Sequence, residues 1–377
     1  MVWDLKYQSQ PDFDRLVRVI KGEEKEGPVP IIELAVDFEV MQEVCDEHFE
    51  IPKSLDFLSW DEEPSQEKVI LGMKILDLSL KFAQTVGYDY VTALPLVPLR
   101  LTPMRPEEDT APLGTTRFWQ DEHKGLITSW EEMESYPWPT SKDQISLVAF
   151  DYLASKLPKG MKIIAFIMGI FEAIKWLMGF ENFAIACIKE PNLVEELFER
   201  LTVVTEWAVD LSASHPAVGA IFYAEDMGFK TQTMISPELI RKWVIPRHQR
   251  IAQACHKHNK LFLFHSCGKV EPIIPDEIEK VGIDGWHSFQ DGILPVEEAY
   301  RKYRDKVAIL GGVDVDILAR GTPEQVRKRT REILEVCGRE GRYCLGSGNS
   351  VTNYVPLENY RAMLEEGIRW NREICGG

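Results

Sequence analysis

Short apolar runs of strand length alternate with longer stretches of helical period along most of the chain. This alternation restricts the fold more than any other feature, because it asks for a parallel sheet covered by helices. The strand-like runs fall at 30–36, 88–94, 162–168, 218–224, 261–265, 283–287, 307–310 and 343–345. Stretches of helical period such as 65–86 and 192–214 lie between them. Two more helices announce their starts, Ser236-Pro237-Glu238-Leu239 and Thr322-Pro323-Glu324, each with Pro at the first helical position. Eight such units in 377 residues predict an α/β fold of the (β/α)8 TIM barrel type, with a doubly wound open sheet as the alternative use of the same runs.

The alternation breaks over 95–145, directly after the second run, where Pro103, Pro106, Pro112, Phe118, Trp119, Trp130, Tyr136 and Trp138 crowd a stretch with little helical period. Such an insertion would rise from the C-terminal face of a barrel, as a lid over the site or as a packed cover. No internal repeat, low-complexity segment or flexible linker divides the chain, so 1–377 reads as a single domain.

A net charge of -17 argues against nucleic acid and anionic membranes as partners, since both are bound through clustered Lys and Arg. The first residues carry no secretory signal pattern, and no uncharged stretch of about 18 residues is present to span a bilayer. Seven cysteines, odd in number and scattered, do not read as a disulfide framework, and a cytoplasmic location is expected.

In a barrel the C-terminal strand ends share one mouth, and here they are polar. The first strand ends in Glu33-Leu34-Ala35-Val36-Asp37, the third leads to Glu172, and the fourth to Glu225-Asp226-Met227-Gly228. The fifth ends in His265-Ser266-Cys267-Gly268, the sixth gives Trp286-His287-Ser288, the seventh Gly311-Gly312-Val313-Asp314, and the eighth Gly346-Ser347-Gly348-Asn349-Ser350. A barrel built only for stability has no need of such a convergence.

His265 and Cys267, two apart on an extended segment, project to one side and could share a zinc ion, with Glu225 or Asp226 from the preceding strand end completing the set. The competing reading is a hydrogen-bonded core histidine beside an inert cysteine. His287 can be a ligand, a proton donor or a ring packed beside Trp286. Asp314, beyond two glycines, stands either against a ligand or in a tight strand-to-helix turn. Cys344, inside an apolar run, reads as packing.

The order of these runs resembles the uroporphyrinogen decarboxylase superfamily, which includes cobalamin-linked methyltransferases. The resemblance rests on Glu225-Asp226-Met227-Gly228, Met234-Ile235-Ser236-Pro237-Glu238-Leu239, Val244-Ile245-Pro246, Phe264-His265-Ser266-Cys267-Gly268, Leu310-Gly311-Gly312-Val313-Asp314 and Leu345-Gly346-Ser347-Gly348-Asn349-Ser350. It implies a (β/α)8 barrel and either tetrapyrrole decarboxylation or methyl transfer. True decarboxylases of the family carry an Arg-rich segment near the N-terminus for the substrate carboxylates. Here that region reads Pro30-Ile31-Ile32-Glu33-Leu34-Ala35-Val36-Asp37, with no Arg, which favours the methyltransferase branch.

In that branch the resemblance implies a zinc site of the form His-x-Cys plus a distant Cys. His265 and Cys267 match the first two positions, and Asn349 stands at the third. The expected enzyme moves a methyl group from a small O-methyl or N-methyl compound, such as a methoxylated aromatic, to a corrinoid carried on a partner protein. Its expected parts are Glu225, Asp226, His287 and Asp314 for catalysis, with Glu33, Phe118, Trp119, Glu172 and Asn349 around the substrate, Trp130 being a further aromatic for stacking. His265, Cys267 and Glu225 would hold zinc as a Lewis acid. A homodimer completes the expected assembly. The rival readings are a decarboxylase or lyase using Arg100, Arg105 or Arg117 as carboxylate clamps, and a binding protein that kept the barrel without the chemistry.

Overall fold

Parallel strands taken in chain order make up the sheet of this computed structural model. It describes Trp3, Leu5 and residues 10–51, 65–102, 105–108, 116–119 and 123–375, with backbone alone at 105–108, 116–119 and 375. The strands are β1 (Tyr90–Ala93), β2 (Arg105–Glu108), β3 (Thr116–Trp119), β4 (Lys162–Met168), β5 (Val218–Glu225), β6 (Leu261–Ser266), β7 (Gly285–His287), β8 (Ala308–Leu310) and β9 (Tyr343–Cys344). Among the described residues β2 and β3 pair as an antiparallel hairpin, and the other seven form one parallel sheet in the order β1-β4-β5-β6-β7-β8-β9. A doubly wound sheet reverses its order at a switch point. This one never does, so it curls one way, with helices as the crossovers.

The run at 30–36, expected to be the first strand, forms no continuous ladder. Parallel bridges tie Ile31 to Leu345 and Val36 to Val351. On its other side a side chain replaces the backbone: the Tyr90 hydroxyl accepts from the Glu33 N–H at 2.7 Å and donates to the Glu33 carbonyl at 3.1 Å. The segment therefore touches both edges of the sheet without pairing as a strand. Pro30 contributes to the irregularity because it has no N–H to offer a ladder.

Apolar residues on both faces explain why the central strands read as unbroken runs, since all six residues of β6 are buried and so is nearly all of β5. The helix starts obey their caps. Ser65 accepts from the Lys68 N–H ahead of Gln66–Val86, and Thr322 forms a reciprocal capping box with Gln325 ahead of Pro323–Cys337. Cys344 packs in the interior as expected.

The segment 95–145 is better structured than its sequence suggests. It carries the β2–β3 hairpin, a helix Trp130–Ser135 and a 3-10 turn Lys142–Gln144, and a bridge between Leu96 and Ser146 closes its base. The Leu126 and Ile127 N–H groups both donate to the Leu177 carbonyl, which fastens the segment to the helix Ile170–Met178. Among the described residues no helix is long and apolar enough to cross a membrane.

Candidate active site

Register decides which polar residues meet. Neighbours across a parallel ladder present side chains to the same face, and β5, β6 and β7 align Ala224 with His265 and His265 with His287. Glu225 is one residue on and aligned with Ser266, so it faces the other way. Tyr223, two residues before it, shares that outer face, and both side chains meet His248 of the covering helix Ile245–His256.

On the inner face a continuous polar chain runs between strand ends. His265 Nδ1 lies 2.7 Å from His287 Nδ1, and His287 Nε2 donates to the Ser347 carbonyl at 3.2 Å. His265 Nε2 lies 3.4 Å from Cys267 Sγ, to which Asn349 Nδ2 donates at 3.1 Å. At the far end Glu33 accepts from the Ser347 N–H at 2.9 Å and pairs with the Ser347 hydroxyl. Burial raises the Glu33 carboxyl to about 8, against the hydrogen bonds from Ser347, so it is predominantly neutral at pH 7. Burial lowers His287 to about 4, and burial plus the neighbouring His287 holds His265 well below the ordinary histidine range. Burial, then Asp226, pushes the Cys267 thiol up to about 12. The chain from Glu33 to Cys267 is thus mostly uncharged near neutrality.

A charged cluster borders its open end. Lys175 Nζ contacts Glu172 Oε2 at 2.6 Å and Asp226 Oδ2 at 3.3 Å, and Trp176 Nε1 donates to Glu172 Oε1 at 2.7 Å. Burial by itself lowers the Lys175 pKa, but Glu172 and Asp226 outweigh it and keep the amine above its usual range. Burial raises the Glu172 carboxyl despite Lys175.

Gly268 explains the end of the His-x-Cys run. Its φ is +75°, and a Cβ there would lie 2.0 Å from the Gly228 carbonyl oxygen. The loops after β5 and β6 therefore pack backbone to backbone, which only glycine permits here.

Seven of the expected residues come together in this way: Glu33, His265, Cys267, His287 and Asn349 along the polar chain, Asp226 beside Cys267, and Glu172 in the adjoining cluster. Others do not. Glu225, expected as catalyst and zinc ligand, turns away from His265 and Cys267. Its oxygens accept from the Phe171 N–H at 3.0 Å, the Glu172 N–H at 2.7 Å and His248 Nε2 at 2.9 Å. It is committed to a helix N-terminus and a buried ion pair. Asp314 caps the helix Val315–Arg320, accepting from the Asp316 N–H at 2.7 Å and the Asp291 N–H at 2.6 Å. Phe118, Trp119, Arg105 and Arg117 lie on the hairpin, and their side chains fall outside the described residues. Arg100 is exposed, as is Trp130.

Sequence patterns alone passed over Lys175 and His248. Both stand on apolar helix stripes, Phe171-Ile174-Lys175-Met178 and His248-Ile251-Ala252-Cys255, all of them buried. A polar residue interrupting such a stripe was the available signal.

Among the described residues no group of three His, Cys, Asp or Glu is placed to hold a metal ion. Two donors nevertheless suit zinc. Bonds of about 2.0 Å to nitrogen and 2.3 Å to sulfur in a tetrahedron separate those donors by roughly 3.5 Å. His265 Nε2 and Cys267 Sγ stand 3.4 Å apart. The third neighbour is the Asn349 amide, which would offer oxygen after a half-turn about its last bond.

Known proteins resemble this chain in sequence and in fold. Residues 123–370 match the uroporphyrinogen decarboxylase (URO-D) family. A methylated-thiol--coenzyme M methyltransferase of Methanosarcina mazei is 29% identical over 264 residues, covering 67% of each chain. A uroporphyrinogen decarboxylase of Paraburkholderia phytofirmans is 26% identical over 102 residues, 27% of each chain. The fold is similar to that of a solved methyltransferase from Methanosarcina mazei, with a TM-score of 0.68 at 18% identity over 94% of this chain and 97% of that one.

Proposed function

The chain belongs to the uroporphyrinogen decarboxylase family, and on that premise we propose that it is a methyltransferase of small O-methyl or N-methyl compounds, with a corrinoid on a partner protein as methyl acceptor. The observation that carries the reading is the His265–Cys267 pair with an amide, Asn349, in place of a second thiolate. The similarity to a methyltransferase over two thirds of both chains supports it.

In the reaction, Co(I) of the acceptor attacks the methyl carbon, the bond from carbon to oxygen or nitrogen breaks, and its electron pair leaves with the heteroatom. The cobalt becomes methyl-Co(III). The leaving atom needs a proton or a Lewis acid, because an unassisted alkoxide or phenoxide leaves poorly. Zinc, where bound, would supply the Lewis acid, held by His265 and Cys267 with Asn349 as a neutral third donor. One thiolate and two neutral donors leave the ion more electrophilic than two thiolates would, which suits a neutral ether or amine better than capture of an anionic thiolate.

In this reading Glu172 and Lys175 handle the proton. Lys175 stays charged among carboxylates, and Glu172 is half-buried with a raised pKa at the same end of the sheet as Cys267. Glu33 is unsuited to a polyanion clamp, being buried and tied to Ser347, which weighs against tetrapyrrole decarboxylation. The hairpin bearing Phe118 and Trp119 is assigned to cover an aromatic substrate.

The test mixes the protein with Co(I) corrinoid, free and protein-bound, and a panel of methoxylated aromatics and methylamines, monitoring the methyl-Co(III) absorption. Formation that needs both protein and donor supports the proposal. No spectral change across the panel, with a carboxylic acid being decarboxylated instead, would replace it by the lyase reading.

A further inference from the structure

The contacts around His265 dictate where its protons sit. A carbonyl oxygen can only accept, so the contact of His287 Nε2 with the Ser347 carbonyl requires a proton on that nitrogen. The two Nδ1 atoms, 2.7 Å apart, require one proton between them. Both rings are buried, and their ring nitrogens meet only each other, Cys267 Sγ and the Ser347 carbonyl, with no carboxylate among the described residues to hold a charged ring, so each is neutral. A neutral His287 protonated at Nε2 has a bare Nδ1. The shared proton then belongs to His265 Nδ1, and His265 Nε2 is left with its lone pair facing Cys267 Sγ.

The packing permits no easy alternative. β6 and β7 hold the two residues in register, and the ring centroids are 4.9 Å apart. Phe222 meets the His287 ring edge to face at 5.9 Å. Gly311, at φ +74°, presses close enough that a Cβ there would lie 3.0 Å from His287 Nε2.

We infer that His287 is a positioning residue: with the Ser347 carbonyl it locks His265 in the Nδ1–H tautomer, so that His265 Nε2 and Cys267 Sγ form a preset two-point site for a soft divalent cation. This rests on reading the cluster as the active centre, and is independent of the methyl donor. Partners of a ligating histidine's second nitrogen commonly contribute about 10–100-fold to metal affinity. A second histidine in that place, rather than a carboxylate, adds no negative charge, which keeps the bound ion electrophilic.

The test uses the full chain and needs no turnover. Side-chain 15N–1H correlation spectra of the metal-free protein, assigned with His265→Gln and His287→Gln, should show His265 protonated at Nδ1 and bare at Nε2. Titration with Co2+ then reads the site through thiolate-to-cobalt absorption. His287→Gln, whose amide can accept from His265 and donate to Ser347, should bind Co2+ within a few-fold of the parent, while His287→Leu should bind about 10–100-fold more weakly. A His265 ring protonated at Nε2, or equal Co2+ affinity in His287→Leu and the parent, overturns the inference. If His287→Leu does not fold, the parent spectrum decides alone. Correct tautomers and Co2+ binding without methyl transfer to any donor would sink the proposed function and leave this inference standing.

Discussion

Glu225 and His248 meet at 2.9 Å with neither side chain reached by solvent, and the second nitrogen of His248 lies 2.9 Å from Glu277. A charged imidazole between two carboxylates is a costly thing to bury and a more costly thing to break. Burial by itself would lower the His248 pKa, but Glu277 and Glu225 outweigh it and carry it to about 10.

The resulting pH dependence has a definite sign. A histidine raised from 6.5 to about 10 on folding adds stability that is full below pH 6.5 and is lost as pH climbs through 10. Urea melts across that interval should show a falling midpoint in the parent and a flatter profile in His248→Gln. Parallel profiles would mean that His248 is not charged in the folded chain. Replacement by Leu, which strands both carboxylates, should cost about 3–5 kcal/mol.

Glu33 behaves in the same sense for a different reason. Its pKa rises from 4.5 to about 8 through burial, so the folded state holds a proton that the unfolded chain releases, and stability drains away between pH 4.5 and 8. Glu33→Gln keeps an acceptor for the Ser347 N–H and cannot ionise. Its melting temperature should vary less than the parent's over that interval, and an unchanged slope would contradict a neutral Glu33.

Gly169 touches the same buried network as Glu225 from the helix side. A Cβ there would lie 2.0 Å from Glu225 Cδ. Gly169→Ala should destabilise the chain by about 1–3 kcal/mol through overpacking, read from chemical denaturation. Because Glu225 is turned from the inner face, the variant should still bind Co2+ at His265 and Cys267 if it folds.

Asn349 is the residue through which the proposed chemistry can be changed by a single substitution. Asn349→Cys would supply a second thiolate beside Cys267 and should raise zinc affinity by about tenfold or more, while making the ion less electrophilic. Metal analysis after dialysis against a mild chelator measures the first effect, and methyl transfer from ethers against thiols measures the second. Equal zinc retention in parent and variant would remove Asn349 from the ion's surroundings. His265→Ala and Cys267→Ser should each abolish stoichiometric binding.

The sequence by itself determined the α/β alternation, the positions of the central strands and the polar residues at their ends. Buried strands are unbroken apolar runs, and chain continuity places the next few residues at each strand's C-terminal end, so 162–168 and 261–265 could be read directly. It misled at 30–36, where a tyrosine hydroxyl takes the place of a neighbouring strand, and over 95–145, where a short hairpin and helix are too brief to show a period. Only the tertiary structure decided partnership. Glu225 and Asp226 are adjacent in sequence yet meet different partners, Glu225 at the strand end pairing with His248 and Asp226 just beyond it pairing with Lys175. Asn349 reaches Cys267, and His287 reaches His265, through strand register, a contest among long-range pairings that no local pattern records.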